Sequence, residues 1–323
     1  MTHFNSSRRD ALQKIGVLTF GAGALAATSG CAALGQSEPI KWSTGTDMPS
    51  TKVPANACDC HHHIYDARFP WAPEASLKPG DALIPEYRKL QARIGTTRNV
   101  IVQPSSYGVD NRLLVESIAA FGGRARGVAV VNTQVTDAEL KSLHAAGVRG
   151  IRFNLAPPGT TTLDMVKPLA KRVADMGWHV QLNAPAKYLL ENKEVWFDLP
   201  VPVVFDHLGR VPQPGALQNP TFAMVRELLQ RDKAYVKLSG FYNESAVGGP
   251  SYSDSVEVAR VYAKEAPDRM LWGSDWPHPT EHTKVIPDDA VLLDAMARAV
   301  PDVAARQKVL VDNPARLYQF PGG

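Results

Sequence analysis

From Ala57 onward the chain repeats one pattern: a short run of β-branched and apolar residues, a polar or Gly/Pro loop, then a stretch with apolar residues three and four apart. The short runs predict strands at Cys58–Ile64, Asn99–Gln103, Gly127–Asn132, Gly150–Asn154, His179–Asn183, Val203–His207, Tyr235–Ser239 and Met270–Asp275. Helical spacing occupies Ile84–Ile94, Asn111–Ala120, Asp137–Ala146, Leu163–Met176, Thr221–Arg231 and Ser255–Ala266. Strands alternating with helices call for parallel pairing through crossover helices. Eight such units match a single α/β domain of the (β/α)8 TIM-barrel class, whose usual size is about 250 residues.

The segment before the repeat reads differently. Arg8 and Arg9 follow Ser7 and precede an uncharged run from Ile15 to Ala27 that is short for a membrane span, so residues 1–30 read as a twin-arginine export signal. Ala24-Leu25-Ala26 has the small-x-small form of a cleavage site, and Cys31, preceded by small residues, leaves a lipid anchor open as an alternative. The polar stretch 31–55 reads as a linker or arm, and 56–323 as the barrel. The expected partners are the twin-arginine export machinery and a small-molecule substrate, and the expected compartment is the periplasm. Nowhere else is there an apolar run long enough for a membrane span.

Composition narrows this picture only by exclusion. The 323 residues carry a formal charge of +3, with 44% hydrophobic and 21% charged residues, which excludes a disordered or collagen-like chain. Loss of residues 1–30 removes Arg8, Arg9, Lys14 and Asp10 and leaves a nearly neutral protein, with no electrostatic argument for a nucleic-acid partner. Cys58 and Cys60, one residue apart, are too close for a disulfide in an extended strand and read as small buried apolar groups.

The chemistry gathers at the strand C-termini, the end at which a TIM barrel carries its site. In a regular first strand Asp59, His61 and His63 share one face and Cys58, Cys60 and His62 the other, so His61 and His63 are expected at the mouth. Asp275, at the end of an apolar run, is the candidate general base, with neighbouring cations and desolvation acting on it in opposite senses. His207 ends strand six. Arg152 would hold a cation at the rim, paired or waiting for a substrate carboxylate. Gln103, Ser105, Tyr107, Asn154, Tyr242 and His278 are the further candidates for substrate contact.

Asp59-x-His61-x-His63, Asp206-His207-x-Gly209-Arg210, Gly273-Ser274-Asp275-Trp276-Pro277-His278 and the closing Asp312-Asn313-Pro314-Ala315-Arg316-Leu317-Tyr318, taken in order, resemble the amidohydrolase superfamily. Within it they resemble the TIM-barrel hydrolase branch that contains 2-pyrone-4,6-dicarboxylate lactonase, sugar-acid lactonases and galactarolactone isomerase. The resemblance implies lactone hydrolysis, with His61, His63, His207 and Asp275 catalytic. Two departures shape the expectation. Gln181-Leu182-Asn183 stands where many members place a fifth-strand histidine ligand, and Arg152 stands in the region of the fourth-strand lysine of binuclear members. A metal-free site is therefore expected. The alternative is a metal-dependent amidohydrolase or decarboxylase with Zn²⁺ or Mn²⁺ on His61, His63 and Asp275. A second alternative is an exported binding protein without catalysis. Leu155-Ala156-Pro157-Pro158 and Phe241-Tyr242-Asn243-Glu244 lack the further arginines expected of a dicarboxylate site, which points to a lactone with one carboxylate or none.

Overall fold

The strands fall where the apolar runs predict them, within a few residues: β1 Cys58–His62, β2 Arg98–Val102, β3 Ala125–Ala129, β4 Val148–Asn154, β5 His179–Asn183, β6 Val203–Phe205, β7 Ala234–Leu238 and β8 Met270–Trp272. This computed structural model describes residues 38–156, 159–281 and 284–321. The export-signal and Cys31 readings therefore lie outside the described residues, as do Pro157 and Pro158. The strands pair in parallel in chain order from β1 to β8. Beyond β8 the backbone returns to β1: Asp275 N–H donates to the His61 carbonyl at 2.7 Å, and His63 N–H to the Trp276 carbonyl at 2.8 Å. Gly273 permits this closure, because a Cβ there would stand 2.5 Å from the His61 Cβ. The result is a (β/α)8 barrel.

Around it run α1 Ile84–Ile94, α2 Arg112–Ala120, α3 Asp137–Ala146, α4 Leu163–Val173, α5 Ala186–Glu191, α6 Lys193–Asp198, α7 Pro220–Gln230, α8 Ser253–Glu265 and α9 Asp289–Ala299. The pattern reading did not include α5, α6 or α9. The first two are single short turns divided at Asn192. The third carries a legible start, since the Asp288 carboxylate accepts from Ala290 N–H, and it buries Leu292, Leu293 and Met296. Among the described residues no helix is long and apolar enough to cross a membrane.

Outward-facing strand residues such as Ile101, Phe153, Val180 and Phe205 form the main core with the helices. The alternate set, Cys58, Cys60, Val100, Val102, Val128, Val204 and Leu271, fills the barrel's lower interior with Leu317, Tyr318 and Phe320. Both cysteines are buried and unbridged. Apolar filling at the base leaves the polar residues of the upper layer to form the mouth.

The first strand departs from simple alternation. Its register runs Asp59↔Asn99 and then His62↔Ile101, so β1 holds one extra residue against β2. Cys60 and His61 thus both serve the interior, and Asp59 does not share a face with His61 and His63. Asp59 instead accepts from Tyr87 Oη on α1 at 2.9 Å and from Ser274 Oγ at 2.6 Å. Burial raises its carboxyl to about 6. His62 also points outward, stacked on Tyr87 with centroids 3.6 Å apart.

The described part of the segment before β1 is an arm laid on the barrel. Trp276 Nε1 donates to the Lys41 carbonyl at 2.9 Å and Arg93 Nε to the Asp47 carbonyl at 2.9 Å. Ser50 and Thr51 hydroxyls donate to the Asp294 carboxylate at 2.9 and 2.6 Å.

Candidate active site

Above the apolar floor, six strand ends contribute ionisable or polar side chains that are almost wholly buried: His61 and His63 at the end of β1, Arg152 from β4, Gln181 from β5, Asp206 and His207 after β6, Lys237 from β7 and Asp275 after β8. Asp275 Oδ1 is the meeting point. It lies 3.5 Å from His61 Nε2, 3.6 Å from His63 Nε2 and 3.9 Å from His207 Nε2. Its other oxygen, Oδ2, accepts from Tyr242 Oη at 2.6 Å. Asp275 and His207 hold left-handed backbone conformations, with φ of 65° and 50°. Such conformations are rare for side chains of this size and persist only where surrounding contacts impose them.

The hydrogen-bond partners divide the three imidazoles into different roles. His63 Nδ1 lies 2.8 Å from the Val102 carbonyl, which can only accept, so Nδ1 bears a proton, and Nε2 faces the Asp275 carboxylate. His61 Nδ1 lies between Lys237 Nζ at 3.3 Å and Asp206 Oδ1 at 3.2 Å, and its Nε2 faces Asp275 Oδ1. His207 Nδ1 pairs with Ser239 Oγ at 3.0 Å. Burial, and then the Lys237 ammonium, push His61 well below its ordinary value. Burial lowers His207 as well. Burial works to raise the Asp275 carboxyl, but the imidazoles of His207, His63 and His61 outweigh it and hold it well below the carboxylate range. That resolves the direction left open by sequence.

Lys237 and Asp206 are the residues that sequence reasoning missed. Lys237 Nζ donates to Gln181 Oε1 at 2.7 Å and lies 3.6 Å from Asp206 Oδ1. Gln181 Nε2 donates to Asp206 Oδ2 at 3.1 Å, and Arg152 Nε lies 3.5 Å from the same oxygen. The available signal was one lysine inside the apolar run Ala234–Leu238, in phase with Tyr235 and Ser239 on the inward face.

Of the expected substrate contacts, Arg152, Asn154 and Ser105 line the cleft above Asp275, together with Tyr65, Asn183, Arg210 and Asn243. Asn154 Nδ2 donates to Ser105 Oγ at 3.1 Å. Four expectations are corrected. The Gln103 amide turns aside and donates to the Asp110 carbonyl at 2.7 Å. Tyr107 Oη accepts from Asp66 N–H at 2.9 Å, and its ring stacks on Trp71. Tyr242 and His278 stand behind Asp275, joined to each other at 3.1 Å, instead of on the cleft wall. A larger groove of about 740 Å³ runs between α2 and α3, but its charged residues do not converge on a common point as those at the mouth do.

By residue type, His61, His63 and Asp275 could hold a divalent ion, their donor atoms lying within 4.8 Å of one another; His61, Asp206 and His207 form a second such group among the described residues. The surrounding charges do not fit one. The Lys237 ammonium stands 3.3 Å from His61 Nδ1 and already supplies a buried positive charge beside these donor atoms. The charges also balance already, with Asp206 and Asp275 matched by Lys237 and Arg152.

Residues 58–320 match the family model described as Amidohydrolase. The 2-pyrone-4,6-dicarboxylate hydrolase of Comamonas testosteroni is 38% identical over 293 residues, covering 86% of this chain and 95% of that protein. The 4-sulfomuconolactone hydrolase of Rhizobium radiobacter is 34% identical, covering 83% and 92% of the two chains. A crystal structure from Agrobacterium tumefaciens superimposes with a TM-score of 0.78 at 29% identity, covering 84% of this chain and 98% of that one. The chain belongs to the amidohydrolase family and is a hydrolytic enzyme built on a (β/α)8 barrel.

Proposed function

We propose that the protein hydrolyses a lactone carrying one anionic group or none, with Asp275 as the general base. The observation that carries this reading is the single free oxygen of Asp275 facing three imidazoles beneath a cleft with an arginine on its wall. The lactone hydrolases among the relatives support the substrate class.

The reaction follows from the donor pattern. A water above this cluster donates one hydrogen to Asp275 Oδ1 and sits beside His63 Nε2. Attack on the ring carbonyl transfers a proton to Asp275. The resulting oxyanion is met by the imidazoles of His207 and His61 and by the charge of Arg152. As the tetrahedral centre collapses, the ring C–O bond breaks and the proton held on Asp275 passes to the departing alkoxide, giving a hydroxy acid. A placed base contributes roughly 10²–10⁴-fold and one oxyanion donor roughly 10²–10³-fold.

Substrate charge is set by two arginines in different states. Arg152 shares Asp206 with Lys237 and points into the cleft, whereas Arg210 Nε is held at 2.7 Å by Glu244 Oε1. Replacing Glu244 with Ala should free Arg210. One added charge-assisted hydrogen bond is worth about 1.5–3 kcal/mol, roughly 10–100-fold. The ratio of kcat/KM for a dicarboxylate lactone over its monocarboxylate analogue is expected to rise by that factor, and an unchanged ratio contradicts the assignment.

Activity is expected to survive exhaustive chelation and dialysis, with metal content far below one equivalent by elemental analysis. A stoichiometric metal whose removal abolishes turnover would reverse the metal-free reading. We also propose that residues 1–30 direct export through the twin-arginine pathway to the periplasm. Cell fractionation should place the protein there, and replacing Arg8 and Arg9 together with Lys should retain it in the cytoplasm.

A further inference from the structure

Behind the base lies a second set of buried polar groups that hydrolysis does not use directly. Tyr242 follows β7, His278 lies three residues past Asp275, and Asp289 opens α9. His278 and Asp289 are fully buried. Tyr242 Oη lies 2.6 Å from Asp275 Oδ2 and 3.1 Å from His278 Nδ1, and His278 Nε2 lies 3.2 Å from Asp289 Oδ2. The phenol and imidazole rings meet edge to face at 82°. His278 holds a left-handed backbone with φ of 55°, and its N–H donates to the Asp275 carbonyl at 2.8 Å, so the same short loop fixes both side chains.

Counting protons gives this row a direction. An ionised Asp275 can only accept, so the single phenolic hydrogen of Tyr242 goes to it. The phenol oxygen is then left to accept, and Nδ1 of His278 must donate. Nε2 faces another carboxylate, so both ring nitrogens donate and the ring is cationic between Tyr242 and Asp289. Burial opposes that charge, but the Asp289 carboxylate outweighs it and raises the imidazole above its ordinary value.

We propose that Tyr242, His278 and Asp289 form a directional hydrogen-bond chain of positioning residues that occupies Asp275 Oδ2 and leaves Oδ1 as the only oxygen available to take a proton. The proposal rests on Asp275 being the base. Without His278 the Tyr242 hydroxyl is free to turn, and the carboxylate can rotate away from the imidazoles. The chain acts on the geometry of the chemical step and touches no substrate, so its loss belongs in kcat.

The test is a comparison of steady-state constants for Tyr242→Phe, His278→Leu and His278→Asn on whichever lactone the wild type opens, each protein first shown by circular dichroism and thermal melting to be folded. The Asn amide nitrogen stands near the position of Nδ1 and can donate to Tyr242, whereas Leu cannot. Tyr242→Phe and His278→Leu are expected to lower kcat about 10–100-fold with KM within about twofold, as removal of a charge-assisted bond implies. His278→Asn is expected to recover most of that loss. An unchanged kcat in Tyr242→Phe, a loss confined to KM, or an Asn variant as impaired as the Leu variant would overturn the chain. Asp275→Asn separates the two levels: if it stays active the base assignment fails, and if it is inactive while Tyr242→Phe is unaffected only the chain fails.

Discussion

Replacing Asp275 with Asn is expected to lower kcat by roughly 10²–10⁴-fold while leaving the fold intact. The amide is nearly the same size as the carboxylate and can still accept from Tyr242 Oη, which sits 2.6 Å from Oδ2. Backbone geometry should hold too, because Asn tolerates the left-handed conformation at φ 65° as well as Asp does. What the amide cannot do is take a proton from water. KM is expected to change little, since Arg152 and Asn154 on the cleft wall are untouched. Steady-state kinetics beside a thermal melt checks this outcome. A variant with near wild-type turnover, or one that loses activity only because it fails to fold, contradicts the role given to Asp275.

The second large effect concerns stability. Asp206 is the only buried carboxylate among the described residues that faces Lys237, Arg152 and His61 together, at 3.6, 3.5 and 3.2 Å. Replacing it with Leu leaves two buried cations without their counter-charge, and breaking such a network typically costs about 3–5 kcal/mol. A fall in melting temperature of roughly 5–15 °C is expected for a domain of this size. Adding Lys237→Met to the Asp206→Leu variant removes one of the stranded charges, so the double variant should be more stable than Asp206→Leu alone, a coupling that a double-mutant cycle measures.

The same network sets the acid limb of stability. Burial works to raise the Asp206 carboxyl, but His61, Lys237 and Arg152 outweigh it and hold it well below the usual range. A group whose folded pKa is depressed stabilises the protein above its unfolded value, about 3.9 for Asp, and that contribution disappears as pH falls through the lower folded value. Between about pH 5 and 2 the wild type should therefore lose more stability than the Asp206→Leu variant. Equal slopes would show that Asp206 does not carry this linkage.

The fold was legible because a barrel writes the same sentence eight times, and each apolar run required a parallel neighbour. Strand ends were less legible: β6 and β8 stop at Phe205 and Trp272, since Asp206 and Asp275 leave the ladder to enter the site. His61, His63, His207 and Asp275 were readable from their position at those ends. The orientation of Asp59 was not, because a single extra residue in β1 changes the phase of the faces and sequence alternation carries no mark of it. Gln103 and Tyr107 illustrate a different limit. Their positions are right for a mouth, but the partners that turn them aside, Asp110 and Asp66, belong to loop geometry that only the folded chain defines. Lys237 was the loss that mattered most, for it stands against His61 Nδ1 and balances Asp206. A buried lysine within an apolar strand is rare enough to have marked the site by itself.

The most direct test of the account is titration of acid release at constant pH while the purified enzyme is presented with a panel of five- and six-membered lactones bearing zero, one or two carboxylates. Stoichiometric release of one carboxylic acid per ring opened is expected, fastest with one anionic substituent or none, and slowed at least about 100-fold in Asp275→Asn. Turnover that rearranges a lactone without releasing acid, or acid release at near wild-type rate in Asp275→Asn, would contradict hydrolysis with Asp275 as the base.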